Sequence, residues 1–241
     1  MPSGPTIVIS GANRGLGLQF AQQYALEGWR VWAGCRAPGQ CAELASLAEQ
    51  FPGKVDVVQL DVTSAASVRD VADALGDTPV DVLLNNAGTF GPDGIPAGLS
   101  YQRFGRIDYD VWSRILQVNL FGPMRLAEAL STPVALSRRK VIANMSSGLG
   151  SIANNDLGGI HSYRTSKAGL NALTKGLSVD LADLGVIVVS LAPGWCRTDM
   201  GGDDARVDPA ESVTGLRHVI EALTPDSSGK FLDAQGREVL W

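Results

Sequence analysis

The chain is 241 residues long with a mass of 25.3 kDa; apolar residues make up 45% of it and charged residues 19%. Such a chain is neither disordered nor collagen-like, and it can bury a large core without disulfide or metal staples. Lys plus Arg number 20 against 25 Asp plus Glu, and the resulting net charge of −5 argues against a broad basic face for nucleic acid.

The first predicted strand is Thr6–Ser10, with the continuous apolar run Ile7-Val8-Ile9. It leads into Ser10-Gly11-Ala12-Asn13-Arg14-Gly15-Leu16-Gly17 and a helix over Leu16–Glu27. Glycines here allow a tight turn, close approach of backbone to a pyrophosphate, and close packing of helix on strand. The spacing is Gly-x3-Gly-x-Gly rather than G-x-G-x-x-G, and a glycine-rich turn that binds nothing is the competing interpretation. A second strand over Arg30–Gly34 precedes a helix over Cys41–Gln50. Sites for NAD commonly place an acidic residue ~20 positions beyond the loop to hold the ribose. Here Ala33-Gly34-Cys35-Arg36 offers none before Glu43. Arg36, together with Arg14, can instead pair with a 2′-phosphate, which points to NADPH; two solvated arginines are the alternative.

The third strand, Val55–Leu60, is followed by Asp61-Val62-Thr63-Ser64, which offers caps for a helix over Ala65–Leu75. A fourth strand, Val80–Asn85, leads to Asn86-Ala87-Gly88 and the Gly- and Pro-rich stretch Gly88–Ile107. Then come a helix over Tyr109–Leu130, a strand over Lys140–Met145 and a second irregular stretch, Gly148–Ser162. A helix over Tyr163–Leu184 precedes the strand Val186–Ala192, the irregular Pro193–Asp208, a helix over Pro209–Leu223 and a short strand near Lys230–Leu232. Runs such as Val82-Leu83-Leu84 and Val186-Ile187-Val188-Val189 do not alternate, so they are covered on both faces. The pattern gives an α/β fold, a doubly wound, mostly parallel sheet whose ligands bind at the carboxyl ends of the strands.

Tyr163-Arg164-Thr165-Ser166-Lys167 opens the fifth predicted helix. Tyr163 and Lys167 are four apart and share a face. A nearby ammonium stabilises a phenolate and brings a tyrosine towards acid–base work at neutral pH. Any helix can contain such a pair by chance. The order of features gives it weight: glycine loop, Asn85-Asn86-Ala87-Gly88, Asn119, Ser146-Ser147, the Tyr163/Lys167 pair and Pro193-Gly194. In that order the chain resembles the short-chain dehydrogenase/reductase family, over nearly its whole length from about Thr6. Asn144–Ser151, Pro193–Met200 and the ending Gly236–Trp241 are similar to the branch of sniffer carbonyl reductase and C-factor-like proteins.

The resemblance implies a single Rossmann-type domain with a seven-stranded sheet over 1–241, its dinucleotide-binding half about 1–145 and its catalytic half about 146–241. It implies Tyr163 as general acid towards a substrate carbonyl, Lys167 on the nicotinamide ribose, Ser147 on the carbonyl oxygen and Asn119 holding a relay water. Ser147 stands before the Gly148-Leu149-Gly150 turn, and Ser146 is expected to point the other way, as neighbours leaving a strand do. Gly11, Asn13, Arg14, Gly15, Leu16 and Gly17 would line the phosphates, and Arg36 the 2′-phosphate. Asp61 and Val62 would meet the adenine; Asp61 can equally be a helix cap. Asn86, Ala87, Gly88, Pro193, Gly194 and Thr198 would lie along the rest of NADPH. Asn85 is expected to tie neighbouring strands. Phe90, Tyr101, Leu149 and Met200 are pocket candidates, while His161, Trp195 and Trp241 are rim or packing residues.

The expected activity is reduction of an aldehyde or ketone, with no metal and no nucleic-acid partner. A non-catalytic NADP(H)-sensing or signalling protein is the alternative, against which the complete Asn/Ser/Tyr/Lys set argues. Long helices at Tyr109–Leu130 and Tyr163–Leu184 imply, by the resemblance, a homodimer or homotetramer. Cys35, Cys41 and Cys196 form no CxxC pair, Met1–Thr6 has no leader pattern, and no run reaches the ~20 residues of a membrane span. These features lead to the expectation of a reducing, cytoplasmic setting.

Overall fold

The computed structural model describes residues 4–95 and 97–241, so part of the Met1–Thr6 reading and Pro96 lie outside the described residues. Strands β1 (Thr6–Ser10), β2 (Arg30–Cys35), β3 (Val55–Gln59), β4 (Val82–Asn85), β5 (Val141–Met145), β6 (Ile187–Ala192) and β7 (Phe231–Asp233) form one sheet. Their order is β3-β2-β1-β4-β5-β6-β7, and every neighbouring pair is parallel. The sequence direction reverses between β1 and β4, which is where an open parallel sheet leaves a crevice for a ligand.

Among the described residues, seven α-helices cover the two faces: α1 (Gly15–Leu26), α2 (Ala42–Gln50), α3 (Ala65–Leu75), α4 (Tyr109–Leu116), α5 (Gly122–Ala135), α6 (His161–Asp180) and α7 (Pro209–Glu221). Each strand feeds both layers. Ile7 and Ile9 pack with Phe20, Leu44 and Leu216 on one face, while Val8 packs with Leu83, Leu126, Leu130 and Ile142 on the other. All ten are buried, and side chains of this kind stabilise the fold by about 1.5–3 kcal/mol each. The period of two along a strand is why an uninterrupted apolar run serves both faces. Among the described residues no helix is long and apolar enough to cross a membrane, and no group of His, Cys, Asp and Glu has metal-binding geometry.

The structure departs from the predicted elements in several places: β4 begins at Val82 rather than Val80, and α6 ends at Asp180, with a separate 3-10 turn over Ala182–Leu184. The single helix expected over Tyr109–Leu130 is divided by a π-helical turn, Gln117–Phe121, and then continues to Ala135. Pro123 removes one N–H from the ladder just beyond the wide turn. Helix α6 starts at His161, two residues early, from an Ile160 with φ +52°. Finally, Ser64 rather than Asp61 caps α3, its Oγ accepting from Ser67 N at 3.2 Å. The Asp61 carboxylate instead accepts from Thr63 N (2.9 Å) and Thr63 Oγ1 (2.7 Å).

Candidate active site

The glycine loop and the end of β4 form one hydrogen-bonded floor. Asn86 Nδ2 donates to the carbonyls of Ser10 (3.1 Å) and Gly11 (3.0 Å), and Ser10 Oγ accepts from the N–H groups of Asn86 and Ala87, each at 3.1 Å. Gly11 has φ +69°, and a Cβ there would lie 2.8 Å from Ala87 Cα. A Cβ on Gly17 would collide with the Gly11 carbonyl and lie 2.6 Å from Asn86 Nδ2. Helix α1 begins at Gly15 with no side-chain cap, so its first N–H groups are left for an anion. This cradle fits a dinucleotide pyrophosphate.

Around it, Asn13 and Leu16 are half-buried, with Leu16 packed on the core. Arg14 is exposed and pairs with Asp199 at 2.7 Å. Thr198 Cγ2 lies 3.4 Å from where a Gly15 Cβ would fall, so the segment after β6 folds across the glycine loop. Arg36 is exposed just beyond β2. Val62 is only 6% exposed and packs against Gly122, which leaves little of it open to an adenine ring. Pro193 is buried, and its carbonyl accepts from Ser212 Oγ at 2.7 Å; Gly194 has φ +83°.

Strand β5 and helix α6 bring the expected reactive group together. Ser147 is half-buried and interacts with the buried Tyr163 phenol. Ser146 turns away, its Oγ donating to Asn171 Oδ1 at 2.6 Å. Lys167 Nζ donates to the Met145 carbonyl at 2.7 Å and stands 5.7 Å from the Tyr163 ring centroid. A Cβ on Gly88 would meet Lys167 Nζ at 3.5 Å and Asn119 Oδ1 at 3.6 Å, so glycine keeps this side of the lysine open. Asn119 sits on the π turn, fully buried. Its side chain accepts from Thr89 N (2.8 Å) and donates to Thr89 O (2.9 Å) and Ser166 Oγ (3.0 Å). Asn85 Nδ2 bonds Asn144 Oδ1 at 2.8 Å, which joins β4 to β5 as expected.

Burial, not Lys167, governs the tyrosine here. Loss of solvent pushes the Tyr163 phenol up to about 12, with the Ser147 hydroxyl acting the other way. The phenol is therefore held protonated, the form a general acid needs. Burial also pushes Lys167 down to about 8. The unfolded chain keeps this lysine protonated up to about 10.4, so between about 8 and 10 it binds more protons than the folded one, and stability contributed through Lys167 rises with pH there. A Lys167→Met variant is expected to gain most over the parent at pH 7, and its advantage should shrink by pH 9.5. Urea midpoints of both proteins at the two pH values check this; an advantage that grows with pH would be the wrong sign.

The pocket candidates separate on inspection. Phe90 is buried, its ring centroid 5.0 Å from that of Tyr163, so it supports the tyrosine from behind. Tyr101 accepts from Asp93 N at 3.3 Å, and Leu149 and Met200 are half-buried on their loops. Trp195 is exposed and donates to the Gly201 carbonyl at 2.9 Å. Trp241 stacks on Phe231 at 5.6 Å, and its carbonyl accepts from the N–H groups of Ile152 (3.0 Å) and Ala153 (2.8 Å). The sequence passed over Thr89, although its place directly after Gly88 was a usable signal. It also passed over Gln102, one of several polar residues in a Gly- and Pro-rich stretch where none stands out by pattern.

Comparison with known proteins agrees with this geometry. The family model described as short chain dehydrogenase matches residues 5–207. The C-signal of Myxococcus xanthus is 40% identical over 163 residues, 68% of this chain and 93% of that protein. Carbonyl reductase Sniffer of D. melanogaster superposes with a TM-score of 0.89 at 33% identity, covering 99% of this chain and 100% of the other. The NADPH-bound carbonyl reductase from chicken fatty liver gives 0.88 at 33% identity, with 99% of both chains covered. With the glycine cradle, the parallel sheet and the Ser147/Tyr163/Lys167 group in place, the chain belongs to the short-chain dehydrogenase/reductase family of NAD(P)-dependent oxidoreductases.

Proposed function

We propose that this chain reduces an aldehyde or ketone to an alcohol with NADPH. One observation carries the proposal: the Tyr163 phenol, held protonated by burial, stands beside the Ser147 hydroxyl, with Lys167 opening towards Gly88. When bound, the nicotinamide supplies the hydride. Gly11, Asn13, Gly15, Leu16 and Gly17 would cradle its pyrophosphate, Asp61 would meet the adenine with the buried Val62 offering only its small open edge, and Asn86, Ala87, Gly88, Pro193, Gly194 and Thr198 would flank the rest. Tyr163 gives its proton to the carbonyl oxygen, and Ser147 donates a hydrogen bond that orients the same oxygen. Lys167 binds the ribose hydroxyls, and Asn119 holds a water through which the proton is replaced.

Two exposed cations, Arg14 and Arg36, support NADPH over NADH, because a 2′-phosphate is bound through charge-assisted hydrogen bonds. Arg36→Asp is expected to shift the NADPH/NADH ratio of kcat/KM by at least about tenfold, the scale of one such contact. Steady-state rates with both cofactors check this; an unmoved ratio would remove Arg36 from the site.

The 40% identity to the C-signal favours a second reading, an NADP(H)-sensing or signalling protein. A cofactor-oxidation screen across aldehydes, ketones and quinones, with NADPH and with NADH, separates the two. Turnover supports the reductase, and saturable cofactor binding with no turnover on any substrate supports the sensor. The family resemblance further supports a homodimer or homotetramer through α4, α5 and α6, and the unpaired cysteines a reducing, cytoplasmic setting; light scattering tests the assembly.

A further inference from the structure

Helix α6 carries both Tyr163 and Lys167, yet no side chain of its own caps its start: Ile160 is in the left-handed region and the first-turn N–H groups need partners from elsewhere. Gln102, about sixty residues earlier, supplies two of them. Its backbone carbonyl accepts from His161 N at 3.0 Å, and its side-chain Oε1 accepts from Tyr163 N at 2.9 Å. The other end of the same amide holds the irregular segment after β4. Nε2 donates to the carbonyl of Phe90 at 2.8 Å and to that of Gly98 at 3.3 Å. Gln102 is fully buried, so each of these bonds replaces water rather than competing with it.

The bonds converge on one residue. Gln102 fixes the backbone of Tyr163 directly, and by holding the Phe90 carbonyl it also fixes the ring that packs against the Tyr163 ring. We propose that Gln102 is a positioning residue, clamping the 89–107 segment to the first turn of α6 and so setting where the Tyr163 hydroxyl stands relative to the substrate carbonyl. The effect on turnover rests on the reading of Tyr163 as proton donor; the clamp itself does not. The role needs an amide, because one end must accept from an N–H while the other donates to carbonyls.

The test uses the full chain with Gln102→Ala and Gln102→Glu. The alanine variant is expected to lose kcat by about 10- to 100-fold, the scale of a catalytic group displaced by about 1 Å, while NADPH affinity stays within about twofold. Amide hydrogen exchange should accelerate in 89–107 and at 161–164 and not in the glycine loop. The glutamate variant keeps the acceptor but presents a carboxylate to two carbonyls; once protonated it donates again. Its kcat should therefore recover towards the parent's as pH falls from 8 to 5, a pH dependence absent from the parent and from the alanine variant. Unchanged exchange at 161–164, faster exchange with unchanged kcat, or loss of NADPH affinity along with kcat would each overturn the proposal. If the alanine variant does not accumulate folded, the glutamate variant decides alone: a flat pH response sinks the clamp. Turnover surviving in Tyr163→Phe would overturn the proton-donor role instead, and the exchange measurement would still report on the clamp.

Discussion

Tyr163→Phe is expected to cut NADPH-dependent carbonyl reduction by about 10²–10⁴-fold, the contribution of a positioned general acid. The substitution removes one oxygen and leaves the ring that packs on Phe90, so the local fold has no reason to move. NADPH affinity should remain within about twofold, because the glycine cradle and the Asn86 floor do not touch the phenol. Following NADPH absorbance for turnover and its fluorescence for binding separates the two effects. A variant that binds and turns over like the parent would sink the assigned mechanism. A variant that loses both would show that the hydroxyl is structural.

Gly17→Ala should act by another route. A methyl at Gly17 runs into the Gly11 carbonyl and the Asn86 side chain, which are themselves tied together. The first is backbone and the second is a side-chain end held by two backbone carbonyls, so α1 must lift from the loop. The expected cost is about 3 kcal/mol or more, a fall of roughly 10 °C in melting temperature for a domain of this size. Saturable NADPH binding should disappear with it. Gly148→Ala is the control, since a Cβ there meets nothing within 4 Å. It should leave melting unchanged even though Gly148 adjoins Ser147. Equal melting temperatures for the two variants would refute this steric account of Gly17.

Much of the fold was legible because parallel strands announce themselves. Ile7-Val8-Ile9 and Val82-Leu83-Leu84 sit at the sheet centre with both faces covered, as uninterrupted apolar runs require. The choice of Ser147 came from the resemblance, which puts the serine before the Gly148-Leu149-Gly150 turn; strand alternation added that Ser146 points the other way, and the structure turns Ser146 towards Asn171. What was not legible depends on contacts across long separations. The π turn that aims Asn119 inward has no periodic signature. The start of α6 was misplaced by two residues because its caps come from Ile160 backbone and Gln102 rather than from a local Ser, Thr or Asp. The Arg14–Asp199 pair joins residues 185 apart, and nothing in either neighbourhood names the other. Seen from sequence, Arg14 was a solvated cation; in the structure one of its nitrogens already faces Asp199, which leaves the other donors for a phosphate.

The strand order bears on how the molecule is made. Growth begins at β1, adds β2 and β3 outward on one side, then returns to the other side of β1 and adds β4, β5, β6 and β7 in turn. Every strand that leaves the ribosome therefore meets an open edge, and none has to be inserted between two strands already paired. Synthesis at ~5–20 residues per second leaves time for each edge to be occupied before the next arrives. The floor joining the glycine loop to the end of β4 closes as soon as the fourth strand docks, whereas Thr198 reaches that loop only after β6 and the wall at Ile152 and Ala153 must wait for Trp241. A nascent chain thus grows its sheet edge by edge, but both the cofactor cradle and the substrate wall are finished only by segments that follow β5 and β6.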